Sequence, residues 1–219
     1  MQPSSRRVQL AVWGGVGVCC LLILGGFLRQ QVERWRRLAG PPLPVLGVLR
    51  DFQLTNQLSQ TITLQSLRGQ VCLFDIIFSR CPGPCTVITR HMVALQKAIP
   101  QGSPVKLIAL TTDPQHDTPA ELARYGKLFG ADPERFYFLT GPAAELHRLA
   151  TSPQGGLMLA VVETKPEERE RPADLFVHST RFVLVDKRGQ IRAFFEGERP
   201  EIQPDIEAAM ARLASDTFP

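Results

Sequence analysis

Beyond its first 39 residues this chain lacks any surplus of basic charge. Residues 40 to 219 hold 19 of the 25 lysines and arginines against 20 of the 21 acids. A near-neutral body offers no electrostatic footprint for a phosphate backbone, which removes the case for nucleic-acid binding. Internal repeats are missing as well. Histidine is scarce, with only His91, His116, His147 and His178. Charge is entirely absent from one stretch, Leu10 to Leu28, which reads LAVWGGVGVCCLLILGGFL.

That uncharged stretch has 19 residues, enough to span a bilayer core at helical rise. Arg6 and Arg7 precede it, as they would a signal peptide, but the run is long for a signal core and no small-x-small cleavage site follows. It reads as an uncleaved anchor. Cys19 and Cys20 inside it are small apolar membrane residues, since Gly17-Val18 is a poor match to a lipidation site. More arginines follow the span (Arg29, Arg34, Arg36, Arg37) than precede it, and that count alone would leave the body cytoplasmic.

Gly40-Pro41-Pro42-Leu43-Pro44 follows as a stiff linker. Residues 52 to 70, FQLTNQLSQTITLQSLRGQ, alternate around a polar turn and predict a β-hairpin. Val71 to Phe78 is a continuous apolar run, as expected of a strand buried on both faces. Apolar residues at helical spacing mark Thr86 to Ala98. A second buried strand covers Val105 to Leu110, and Thr118-Pro119 opens a helix to about Phe129, with threonine as cap and proline at the first helical position. A short strand at Arg135 to Leu139, a helix at Pro142 to Ala150 and a β-prone segment at Leu157 to Glu163 come next. Residues 165 to 174, KPEERERPAD, form a solvated excursion. The chain closes with a hairpin of Arg181 to Asp186 and Gln190 to Glu196, then a helix at Ile202 to Leu213. Strands alternating with helices imply a parallel sheet between helical layers, and the terminal hairpin makes the layout thioredoxin-like.

The chemistry concentrates in FSRCPGPC, residues 78 to 85. In parallel sheets ligands sit beyond the carboxyl ends of the strands, and Cys81 and Cys85 lie just past one such end. Asp113 lies just past the next, so both loops are expected on one crevice. Pro82 and Pro84 disfavour helix at the residues before them, so the helix is predicted to begin near Pro84. Cys81 then sits in the loop and Cys85 in the first turn, near the positive end of a helix dipole that favours thiolates. Such a pair suits a soft metal or a reversible disulfide. A static bridge over so short a loop would remove little chain entropy. Cys72, within the buried strand, reads as a core residue. His91 and His147 read as solvated, His116 as close to the crevice, and spacing alone does not select His178.

Taken in order, FSRCPGPC, TTDPQHDTPAEL and VHSTRFVLVDKRGQIRAFFEG resemble the Sco/SenC family of copper proteins over residues 45 to 214. The resemblance implies an α/β thioredoxin-like fold with an N-terminal β-hairpin extension, preceded by one transmembrane helix. It divides the chain into a tail (1–9), an anchor (10–28), a linker (29–44), a Sco/SenC domain (45–214) and a tail (215–219). It implies copper, Cu(I) or Cu(II), as the ligand, held by Cys81, Cys85 and His178, with Asp113 as a supporting acid. Two thiolates and an imidazole are a donor set that selects copper, whereas structural zinc sites want four protein ligands. The implied role is a metallochaperone without turnover of its own. It would act on the copper-containing subunit of cytochrome c oxidase or another copper enzyme and receive copper from a donor protein. The implied location is the inner membrane, with the soluble domain in the periplasm or intermembrane space. Against the family's usual pattern, Val177 stands where an acid is common and Thr86 where proline is common. Two other readings of the same residues remain, a thiol–disulfide oxidoreductase working through Cys81 and Cys85, and a redox sensor.

Overall fold

Seven consecutive buried side chains make Val71–Ile77 (β4) the centre of the body. In a strand successive residues point to opposite faces, so burial of both kinds requires cover on both sides of the sheet. The computed structural model, which describes residues 4–38, 40–81, 83–163 and 176–216, provides that cover. Its contacts divide the chain into Met1–Pro41 and Pro42–Pro219.

The first unit holds one helix, Ser4–Leu38 (α1). Within it Val12–Val32 is 21 residues long, apolar and unburied, and by length and composition it can cross a membrane. At 1.5 Å per residue it reaches about 31 Å, the thickness of a hydrocarbon core. A signal sequence would share these properties.

In the second unit the strands are Gly47–Val48 (β1), Gln53–Asn56 (β2), Thr61–Thr63 (β3), β4, Val105–Thr111 (β5), Phe136–Thr140 (β6), Val161–Glu163 (β7), Phe176–His178 (β8), Arg181–Val185 (β9) and Gln190–Glu196 (β10). The helices are Pro84–Ala98 (α2), Pro119–Phe129 (α3), Ala143–Thr151 (α4) and Gln203–Ser215 (α5). Among the described residues the main sheet runs β1-β10-β9-β4-β5-β6-β2-β3, and β7 pairs with β8 apart from it. The β4–β5 and β5–β6 pairs are parallel, while β9 joins β4 antiparallel.

Alternation along β4 sorts the core. Leu73 and Ile77 face α2, α3 and α5, alongside Ile88, Met92, Leu122, Phe138 and Met210. Phe74 and Ile76 face the other way, onto Leu146 and Leu149 of α4 and onto Leu54 and Leu64 of the hairpin region. Thr118 caps α3 as expected, its side chain accepting from Glu121 N–H, and Gly130 ends that helix in the left-handed region at φ 75°.

Several boundaries differ from those expected. Segment 157–163 reduces to the three residues of β7, because Leu157 and Leu159 bond back to Leu149 and Ala150 at the end of α4. The hairpin β2–β3 joins the sheet through β6, at the opposite edge from β1. The short strand β1, pairing with β10, carried no signal of its own. The charged excursion at 165 to 174 lies outside the described residues.

Candidate metal centre

The site is built where two parallel strands end side by side. Ile77 pairs with Thr111 at the last rung of β4 and β5, so the loops that follow leave from one edge. Asp117, in the second loop and fully buried, ties them together. Its carboxylate accepts from Ser79 N–H at 3.0 Å, from the Ser79 hydroxyl, and from Thr111 Oγ1 at 2.5 Å. Thr112 N–H adds a bond to Ile77 C=O at 3.0 Å. Asp113 Oδ2 accepts from Arg80 Nη2 at 2.5 Å and from Nε at 3.2 Å, a charge-assisted contact anchored on the residue before Cys81. The Ser79-Arg80-Cys81 turn is therefore held from both sides, with Cys81 N–H closing onto Phe78 C=O at 3.1 Å.

The second thiol is placed by the helix start. Gly83 stands at the N-cap with no side chain to use, Pro84 follows within the first turn, and Thr86 supplies both N–H and Oγ1 to Gly83 C=O. This sets Cys85 in the first turn of α2, as the two prolines predict. Cys81 and Cys85 are both thiols and lie in mutual hydrogen-bond contact.

Their environment corrects one expectation. Both thiols are buried, Cys85 fully and Cys81 at 8 % exposed. The Cys85 thiol is pushed up, not down. Its hydrogen bond with Cys81 is the largest cause, followed by burial, and a backbone hydrogen bond at Phe78 opposes them only in part. The helix N-terminus is outweighed because a buried thiol that donates its proton to a neighbouring sulfur is favoured in its neutral form. Binding a soft cation there replaces that proton, so such binding releases protons.

A further acid lies beneath the pair. Asp75 is 1 % exposed, and by alternation in β4 it points to the α2 side of the sheet. Beyond its own amide, neither of its oxygens has a hydrogen-bond partner among the described residues, and burial raises its carboxyl well above the usual range. Cys72, buried in the same strand as expected, is pushed up to about 12 by desolvation.

The histidines divide differently from the sequence reading. His91 is not solvated: it is 8 % exposed in α2, with Nδ1 at 2.9 Å from Gly197 C=O. His116 approaches Asp117 Oδ1 at 3.2 Å and Ser79 Oγ at 3.3 Å, so it belongs to the loop network. His147 is exposed on α4, on the rim of a cavity of about 560 Å³ that Arg80, Thr112, Asp113 and Leu146 also line. His178 closes β8 opposite Val161, and its side chain lies outside the described residues. Among the described residues, no three His, Cys, Asp or Glu side chains gather at metal-binding range. The sequence reading missed Asp117, Ser79 and Thr111. Their one local signal was an acid four residues beyond Asp113 in the same loop, and nothing in that spacing shows which strand end it would bind.

Comparison with known proteins adds the following. The family model SCO1/SenC matches residues 45–215. A SCO1 protein homolog of Bacillus subtilis is 30 % identical over 165 residues, 74 % of this chain and 81 % of that protein. The crystal structure of a SCO1/SenC family lipoprotein from Bacillus anthracis superposes with a TM-score of 0.69 at 26 % identity, covering 78 % of this chain and 98 % of that one. The structure of Bradyrhizobium japonicum ScoI with copper bound gives 0.59 at 25 % identity, over 76 % and 99 %.

Proposed function

Because the chain belongs to the SCO1/SenC family, we propose that its body binds copper as a cargo and delivers it during assembly of a copper enzyme. The target that the family resemblance implies is the copper centre of cytochrome c oxidase. The observation that carries this reading is the contact between Cys81 and Cys85, held by a braced turn on one side and a helix start on the other. Two neighbouring thiols can close on one soft cation, and thiolate donors select Cu(I). The related ScoI structure holds copper.

In this reading Cys81 and Cys85 give up protons to the solvent as they take the cation, and His178 contributes the third donor. The positive end of α2 offsets the negative charge of two thiolates. The Asp117 network keeps Cys81 within reach of Cys85, and the Arg80–Asp113 pair braces the same turn from the outside. A site of few donors suits a carrier, since an incoming group on a partner can displace one of them. Helix α1 acts as an uncleaved anchor, with the body in the periplasm or intermembrane space.

The thiol–disulfide reading draws on the same contact, because adjacent thiols can also exchange with a partner's disulfide. A Cu(I) titration of the reduced full chain in detergent, without oxygen, separates the two. One copper per chain is expected, bound more weakly by His178→Ala and lost in Cys81→Ser/Cys85→Ser. If no tight copper binds while the dithiol still cycles against a partner disulfide, the oxidoreductase reading replaces this one.

A further inference from the structure

We propose that His91 is a positioning residue that sets the distance between the cysteine helix and the strand segment carrying His178. The inference rests on the reading of His178 as the third donor.

His91 lies in α2, the helix that begins with Cys85's turn, and it is buried. Its Nδ1 is 2.9 Å from Gly197 C=O, an acceptor only, so Nδ1 carries the proton and donates. Gly197 N–H in turn donates to Thr180 C=O at 2.8 Å. Thr180 stands two residues after His178, and Ser179 between them donates its N–H to Ala160 C=O at 2.8 Å. Two short links, His91 to Gly197 and Gly197 to Thr180, therefore lead from the cysteine helix to the backbone beside His178, and the Ser179 bond ties that backbone to Ala160.

The junction has little slack. A methyl group placed on Gly197 would come within 2.5 Å of Thr180 C=O and 3.1 Å of the Phe182 ring. Phe182 meets the His91 ring edge-on, with centroids 5.5 Å apart, which fixes the ring plane as well as the bond. Nε2 of His91 is buried with no hydrogen-bond partner among the described residues, so the ring is held through one nitrogen and one face. A buried histidine with half its polar capacity unmet is a poor choice for stability alone, because an apolar ring would fill the space without an orphaned acceptor. Directional anchoring of Gly197, and through it of Thr180, accounts for the imidazole. The strand pair closes the frame, since Arg181 pairs with Glu196 at the end of β9 and β10, next to both linked residues.

The test compares full-length protein in detergent, loaded with Cu(II), by visible absorption and by competition for copper. His91→Phe keeps the ring and removes the donor. It is expected to shift the thiolate-to-copper absorption band and weaken binding about 10- to 100-fold, as loss of an outer support commonly does. His91→Asn keeps a donor one bond from Cγ and is expected to restore the band. Gly197→Ala retains every polar group but displaces the carbonyl, and it is expected to shift the band in the same way, which keeps the test open if His91→Phe folds poorly. A purely structural role would lower the melting temperature and leave band and affinity at wild-type values. An unchanged band in folded His91→Phe and Gly197→Ala, while His178→Ala alters it, overturns the inference alone. An unchanged band in His178→Ala overturns the donor assignment and the inference with it.

Discussion

Replacing Asp117 with alanine should destabilise the body by about 3–5 kcal/mol, an unusually large effect for a loop residue. The carboxylate is fully buried and accepts from Ser79 N–H, the Ser79 hydroxyl and Thr111 Oγ1. Hydrogen bonds to a charged acceptor contribute about 1.5–3 kcal/mol each, and a buried donor left without one costs about 1–3 kcal/mol. Ser79 is half-buried, so its hydroxyl can turn to water and recover part of its loss. Thr111 is 2 % exposed and cannot. Two uncompensated donors and the lost charged acceptor bring the sum to that range, within the band for breaking a buried ionic contact. The assay is urea unfolding of the Pro42–Pro219 unit, followed by far-ultraviolet circular dichroism. With a slope of about 2 kcal/mol/M, the midpoint should fall by about 1.5–2.5 M. Asp117→Asn, which keeps one acceptor oxygen and sets an NH₂ against donors, should fall between. A loss below about 1 kcal/mol in Asp117→Ala, at unchanged slope, would refute the claim that this carboxylate holds the two loops together.

Two further outcomes follow from the buried acids and thiols. Asp75 is protonated both folded and unfolded below about pH 4, the ordinary aspartate range. Above it the unfolded chain releases a proton that the folded chain keeps, so stability should fall with rising pH, by up to about 1.4 kcal/mol per unit, until the buried group itself ionises. Asp75→Asn should flatten that dependence and be the more stable protein at pH 8, and denaturant midpoints at pH 5 and 8 that move in parallel for both proteins would contradict this. In Cys81→Ala the Cys85 thiol loses the largest cause of its raised pKa while burial remains, so its ionisation, followed by thiolate absorbance at 240 nm, should move to lower pH. An unmoved titration would mean that burial alone sets it.

Much of the architecture is local information and was readable along the chain. Val71–Ile77 declares a doubly covered strand by having no polar side of its own except Asp75. Thr118-Pro119 and Gly130 mark the two ends of α3 because capping is a matter of a few adjacent atoms. The prolines around Cys81 and Cys85 place one thiol in a turn and the other in a helix for the same reason. The pairing of β2 with β6 was not readable, since a short polar-faced strand can complete either edge and only the finished sheet shows which is vacant.

The site divides along the same line. Sequence by itself pointed to the residues proposed to carry the chemistry, a pair of cysteines at a strand end and helix start, and to the family to which the chain belongs. Tertiary structure alone decided their state. Cys85 is a buried neutral thiol because Cys81 and the core surround it, His91 is buried because Phe182 and Gly197 meet it, and Asp117 grips a turn 38 residues away. Burial, desolvation and charge depend on what other segments bring to a residue. No window along the chain contains those neighbours.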